Sequence, residues 1–160
     1  MPEFRPHQWT ALAFDYGRKR IGVAAGDSVT RCARPLTTVH CGPAGIDWPA
    51  IERVVSQWQP AIIVVGVPFN ADGSRSELTL PAEAFARELG QLHQIPVDTI
   101  DERFSSLEAT TELRKARADG SRSRRVRRED VDAAAACVIL ERWFDRTANE
   151  HKMATMPHTT

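Results

Sequence analysis

Phe14-Asp15-Tyr16-Gly17-Arg18-Lys19-Arg20-Ile21-Gly22-Val23-Ala24 sets one carboxylate at the end of an apolar run, then a glycine, three cations and a second apolar run. A strand ending in Asp-x-Gly, with positive charge close behind, is suited to holding a metal or a phosphate at a sheet's edge. Thr10–Tyr16 reads as the first strand and Arg20–Ala25 as the second. The connection between them is so short that the pair must form an antiparallel hairpin. Gly22, inside the second strand, predicts a bulge or a close backbone approach.

Downstream, Arg34–Val39 reads as a third strand, with Pro35 confining it to its first residues or to an edge. Asp47 is a candidate helix cap with Pro49 just inside, and Ile51, Val54, Val55 and Trp58 follow at helical spacing before Pro60. Ala61–Val67 is apolar on both faces and β-branched, which predicts a buried strand with parallel neighbours. Pro68–Ser76 is a loop. Leu78–Leu92 is helical, with apolar residues at 82, 85, 86, 89 and 92. Ile95–Ile100 is a further strand that delivers Asp101, Glu102 and Arg103 at its end. Ser105 and Glu108 have capping-box spacing for a helix running to about Ala118. Glu129–Asp145 is an alanine-rich helix with Asp132, Ala136, Ile139 and Trp143 on one face. Residues 1–9 read as a loose leader and 147–160 as a disordered tail, around one domain at 10–146. The expected fold is α/β: a mixed five-stranded sheet, with three leading antiparallel strands and then alternating α and β units, covered by helices.

Composition narrows the class. The 160 residues are 42% hydrophobic and 26% charged, with zero formal net charge, so any nucleic-acid role must come from a local patch. No apolar run approaches the roughly 18 residues of a membrane span, and Met1–Gln8 lacks the apolar centre of a signal peptide. The three cysteines are widely spaced, with no CxxC or His/Cys cluster, which argues against zinc and for reduced thiols in a cytoplasm.

Ligands of open α/β sheets gather beyond the carboxyl ends of parallel strands. Asp15, Asp101 or Glu102, and Asp132 reach such positions, and carboxylate oxygens suit Mg²⁺ or Mn²⁺. Adjacent residues on a strand face opposite ways, so only one of Asp101 and Glu102 is expected to serve as a ligand. Asp132 also suits the macrodipole of a first helical turn. Arg114, Lys115, Arg117, Arg122, Arg124, Arg125, Arg127 and Arg128 stand against Asp119 alone. They form either a phosphate-binding frame or a solvated charged loop. Asn70 is either a substrate contact or an Asx turn. Trp48, Trp58 and Trp143 lie on apolar helical faces and read as core.

Five blocks in order, DYGRKRIGVA (15–24), ARPLTT (33–38), VVGVPFNADG (64–73), DERFSS (101–106) and VDAAAACVILERW (131–143), resemble the RuvX/YqgF family. That family is described both as Holliday-junction resolvases and as nucleases that mature the 5′ end of pre-16S ribosomal RNA. The resemblance implies an RNase H-like fold and a catalytic, metal-binding triad of Asp15, Glu102 and Asp132. It also implies that Lys19, Arg20, Asn70 and Arg103 contact the substrate backbone. Val67, Ala71 and Ser106 depart from the usual Leu, Met and Thr, away from the expected ligands. The expected function is a Mg²⁺- or Mn²⁺-dependent hydrolase of phosphodiesters, processing pre-16S rRNA in ribosome biogenesis, with ribosomal particles as partners and a monomer or homodimer as its state. A Holliday-junction DNA resolvase, a non-catalytic nucleic-acid or ribosome-binding module, and the ATPase branch of the fold are the competing readings, in that order.

Overall fold

The computed structural model describes residues 8–101 and 128–155. The first hairpin forms as the short link requires: β1 (Thr10–Asp15) and β2 (Arg20–Asp27) pair antiparallel, with Asp15 opposite Gly22. β3 (Ala33–Gly42) continues the meander and is longer than its apolar stretch predicts. Pro35 sits opposite Ala24, where the register shifts between Val23 and Ala24 and a missing N–H is tolerated. A two-residue strand, β4 (Gly45–Ile46), lies in the expected loop and pairs with the end of β3. The sheet therefore has six strands rather than five, in the order β4-β3-β2-β1-β5-β6.

α1 (Trp48–Trp58) starts where the sequence places it, and the Asp47 carboxylate accepts the Ala50 N–H at 3.2 Å. β5 (Ile62–Val67) is the buried strand and runs parallel to both β1 and β6 (Val97–Asp101). α2 (Thr79–His93) joins them and buries Ala82, Phe85, Ala86 and Leu89, while Leu92 is exposed. The expected capping box at Ser105 and Glu108, and the helix after it, lie outside the described residues. The last helix, α3 (Arg128–Thr155), passes the expected end of the domain and occupies most of the expected tail. Apolar periodicity stops near Thr147, but Ala148, Glu150, Lys152 and Ala154 are good helix formers, and Arg146 pairs with Glu150 one turn on.

The sheet is covered on both faces. Leu12, Phe14, Ile21, Val23, Ile63 and Val65 meet Ile51 and Val55 of α1 and Phe85 and Leu89 of α2. Ala11, Ala13 and Val64 on the opposite face meet Ile139, Leu140, Trp143 and Phe144 of α3. Trp9, expected in the leader, belongs to this second layer. Its ring lies 6.0 Å from Trp143 and 6.1 Å from Phe144, and its main-chain N–H donates to Ser28 Oγ. Trp143 is buried as expected, while Trp48 and Trp58 pack at the margin of the first layer. Among the described residues no helix is long and apolar enough to cross a membrane.

The α3 face of the sheet is built from small residues, and that sets where the helix lies. A β-carbon at Gly22 would overlap the Asp132 carbonyl oxygen, and one at Gly26 would stand 2.8 Å from Leu140 and 2.9 Å from Phe144. From Gly22 to Gly26 a strand advances about 13 Å. From Asp132 to Leu140 a helix advances about 12 Å. α3 thus runs along β2, and its Asp132 end lies at the end of β2 nearest the hairpin turn.

Candidate active site

Alternation along β1 puts Leu12 and Phe14 in the α1/α2 layer and Ala11 and Ala13 in the α3 layer. Asp15 falls in the second series and so shares the α3 face with its register partner Gly22. Because the Asp132 main chain crosses directly over Gly22, the residues Asp15 and Asp132 come from distant segments to the same corner. Asp15 is half-buried there.

In β6 the same rule gives the face of Asp101. Asp98 bonds Trp143 of α3, and Ile100 packs against the α3 layer. Val97 packs in the opposite layer, and with Thr99 it lines a cavity beside α2. Asp101 belongs to the Val97 series and faces away from Asp15 and Asp132. Glu102 and Arg103 lie outside the described residues, as do residues 114–127 of the Arg-rich segment.

The cations behind Asp15 divide their work. Arg18 reaches across to Glu77 at 2.8 Å in an exposed surface pair. Lys19 is exposed, and its carbonyl accepts the Cys41 N–H at 2.9 Å. Arg20 donates from Nε to Asp132 Oδ2 at 2.7 Å, with both side chains about three-quarters shielded. The sequence predicts a substrate contact for Arg20 and holds no signal for this pairing, which spans 112 positions. Thr38 and His40 are the register partners of Gly22 and Arg20, so they line the same corner. The sequence assigned neither a role: Thr38 lies within the ARPLTT block, and His40 lies beyond the expected end of its strand.

Asn70 serves its own loop. Its amide nitrogen donates to Ser74 Oγ at 2.9 Å and to the Arg75 carbonyl at 3.2 Å, while its main-chain N–H donates to the Ser74 carbonyl. Tyr16, next to Asp15, turns to the other layer and lies 5.4 Å from Phe85. Burial pushes its phenol above the ordinary value, and the Cys41 thiol adds to this against the opposing effect of Arg18.

The donor set fits a hard divalent cation. Asp15 and Asp132 supply carboxylate oxygens, and Mg²⁺ is commonly bound through one or two carboxylates, with water and substrate phosphate completing its shell. The Arg20 contact engages one oxygen of Asp132, Oδ2. Among the described residues no third acidic, histidine or cysteine side chain joins such a group.

The sequence profile of the RuvX family, described as Holliday junction resolvase, matches residues 9–146. A relative from Paraburkholderia phytofirmans named "Putative pre-16S rRNA nuclease" is 40% identical over 143 residues, covering 89% of this chain and 92% of its own. A relative of the same name from Xanthomonas campestris pv. campestris is 44% identical over 147 residues, covering 90% and 94%. Among solved structures, T. thermophilus RuvC in complex with a Holliday junction substrate superimposes with a TM-score of 0.53 at 18% identity, covering 87% of this chain and 96% of that one. That likeness establishes the RNase H-like architecture expected from the sequence blocks. With the profile spanning the whole sheet and α3 as far as Arg146, and with relatives at 40% and 44% identity over nearly their full length, the chain belongs to the RuvX family.

Proposed function

We propose that this protein is a divalent-metal-dependent phosphodiester hydrolase that trims the 5′ end of pre-16S rRNA in the cytoplasm. The observation that carries the reading is that Asp15 is the register partner of Gly22, while the Asp132 main chain packs directly against Gly22, which leaves room for the helix. The names of relatives about 40% identical supply the substrate. The free cysteines are consistent with a reducing compartment.

In this reading Asp15 and Asp132 hold Mg²⁺ or Mn²⁺, and Glu102, the third acid that the family resemblance implies, completes the set. Such an ion supplies an activated water and offsets charge on the phosphate. Lys19, exposed at the hairpin turn, contacts the substrate backbone, a role the family resemblance also implies for Arg103. Asn70 shapes the neighbouring loop through its own amide and reaches substrate through that loop. Ribosomal particles are the expected setting of the reaction.

The test is cleavage of a pre-16S rRNA fragment with Mg²⁺ or Mn²⁺ by the native chain and by Asp15→Asn and Asp132→Asn. The native chain should cut at the 5′ end and both variants should be inactive while folded. Undiminished cleavage by either variant refutes the mechanism. The family's description supports a second substrate, a four-way DNA junction. Parallel assays separate the two, and junction cleavage without RNA cleavage would establish the resolvase reading.

A further inference from the structure

We propose that Arg20 is the internal counter-ion of the acidic site. It balances Asp132 while no divalent ion is present and gives up that carboxylate when one enters. This role rests on the metal-site reading above, but it assigns Arg20 to the ligands rather than to the substrate.

The backbone aims Arg20 at this contact. It is the first residue of β2, two positions before Gly22, and strand alternation puts both on the α3 face. Gly22 admits the Asp132 main chain against β2, and the side chain of Asp132 then meets the Arg20 guanidinium, Nε to Oδ2 at 2.7 Å. The Arg20 and Asp132 side chains are 27% and 24% exposed, against 63% and 84% for the neighbouring Arg18–Glu77 pair. Solvent therefore screens the Arg20 pair far less, and its charge balance matters more.

Two carboxylates close together repel each other when no cation lies between them. Arg20 relieves that repulsion at Asp132. A guanidinium keeps its charge at any working pH, so its effect is removed only by moving the side chain. An entering dication is repelled by the guanidinium and competes with it for the same carboxylate. Arg20 thus lowers metal affinity while stabilising the metal-free chain, since two cations that compete for one group couple negatively.

The experiment compares Mn²⁺ binding by the full native chain, Arg20→Gln and Arg20→Lys, using calorimetry or electron paramagnetic resonance without nucleic acid. Arg20→Gln should bind Mn²⁺ about tenfold more tightly or better, since one tenfold step lies within ordinary coupling between linked sites. It should also unfold more easily without metal, while Arg20→Lys stays near native affinity. A purely structural role would weaken binding or leave it alone, and either result overturns the proposal. Unchanged Mn²⁺ affinity together with weaker RNA binding in a separate titration would return Arg20 to the substrate.

A second measurement needs no variant. In native chain labelled with ¹⁵N-arginine, the Arg20 Nε–H resonance should shift as Mg²⁺ is added, in step with saturation. An unmoved resonance at saturating Mg²⁺ overturns the proposal while leaving the metal site intact. A native chain that binds neither ion removes the metal site and this inference together. Loss of binding in Asp15→Asn and Asp132→Asn shows that the titrated site is the one described.

Discussion

Gly22 and Asp132 lie so close that no side chain larger than hydrogen fits between them. A β-carbon at Gly22 would overlap the Asp132 carbonyl oxygen and stand 3.0 Å from the Ala133 nitrogen. Both are backbone atoms of a helix packed along the sheet, so no rotamer change relieves the clash. Gly22→Ala should force α3 outward, costing about 1–3 kcal/mol as overpacking does. Asp132 would move with the helix, and nuclease activity should fall further than stability does. Chemical denaturation and a cleavage assay on the same preparation check both. An unchanged midpoint with full activity would show that the helix does not bear on the sheet at Gly22.

Strand parity in β6 turns Asp101 away from the face of Asp15. Asp101 follows Val97 into the α2 layer, whereas Asp98 and Ile100 belong to the α3 layer that holds Asp15. Asp101→Asn should therefore retain most cleavage. Glu102→Gln should lose about 100-fold or more, at or beyond the upper range for residues that only support metal ligands. Measured rates in the reverse order would move the third ligand to Asp101.

The far end of α3 is fastened to the edge strand through Asp98. Its Oδ2 accepts the Trp143 Nε1–H at 2.8 Å and an Arg146 Nη2–H at 2.7 Å. Trp143→Phe keeps the buried ring and deletes one donor, so it should cost about 1–2 kcal/mol. The contact lies well along the helix from Asp132, and metal affinity should stay as in the native chain. Thermal unfolding and a Mn²⁺ titration decide it.

Asp27 gives the fold an acid-sensitive corner. Its carboxylate accepts the Val29 N–H at 2.7 Å, the Gln8 side-chain amide at 3.2 Å and the Thr30 N–H at 3.2 Å. These bonds favour the charged form and hold its pKa below the ordinary 3.8. The folded state thus prefers the carboxylate. Its contribution is complete above the unfolded value and is lost as pH falls through the lower folded one. Titration of the Asp27 carboxyl by NMR should give a midpoint under 3.8. Asp27→Asn should flatten the stability profile in that acid range.

What the sequence determined was local. Two apolar runs joined by a few residues could only form a hairpin, and β1 and β2 do so. The β-branched run before Pro68 demanded burial on both faces, and β5 has parallel neighbours on each side. Asp47 and Pro49 marked the start of α1, and Gly22 announced a close approach without naming what approached. Such features are legible because capping, periodicity and turn length act between residues a few positions apart. Tertiary structure decided the rest. It brought Asp132 over Gly22, gave Arg20 a partner 112 positions away, and set a register in which strand alternation puts Asp101 on the opposite face from Asp15. It also drew Trp9 into the α3 layer and let that helix run on to Thr155. Those outcomes depend on sheet register and on the line a helix takes across small residues, which is fixed by packing between segments far apart in the chain.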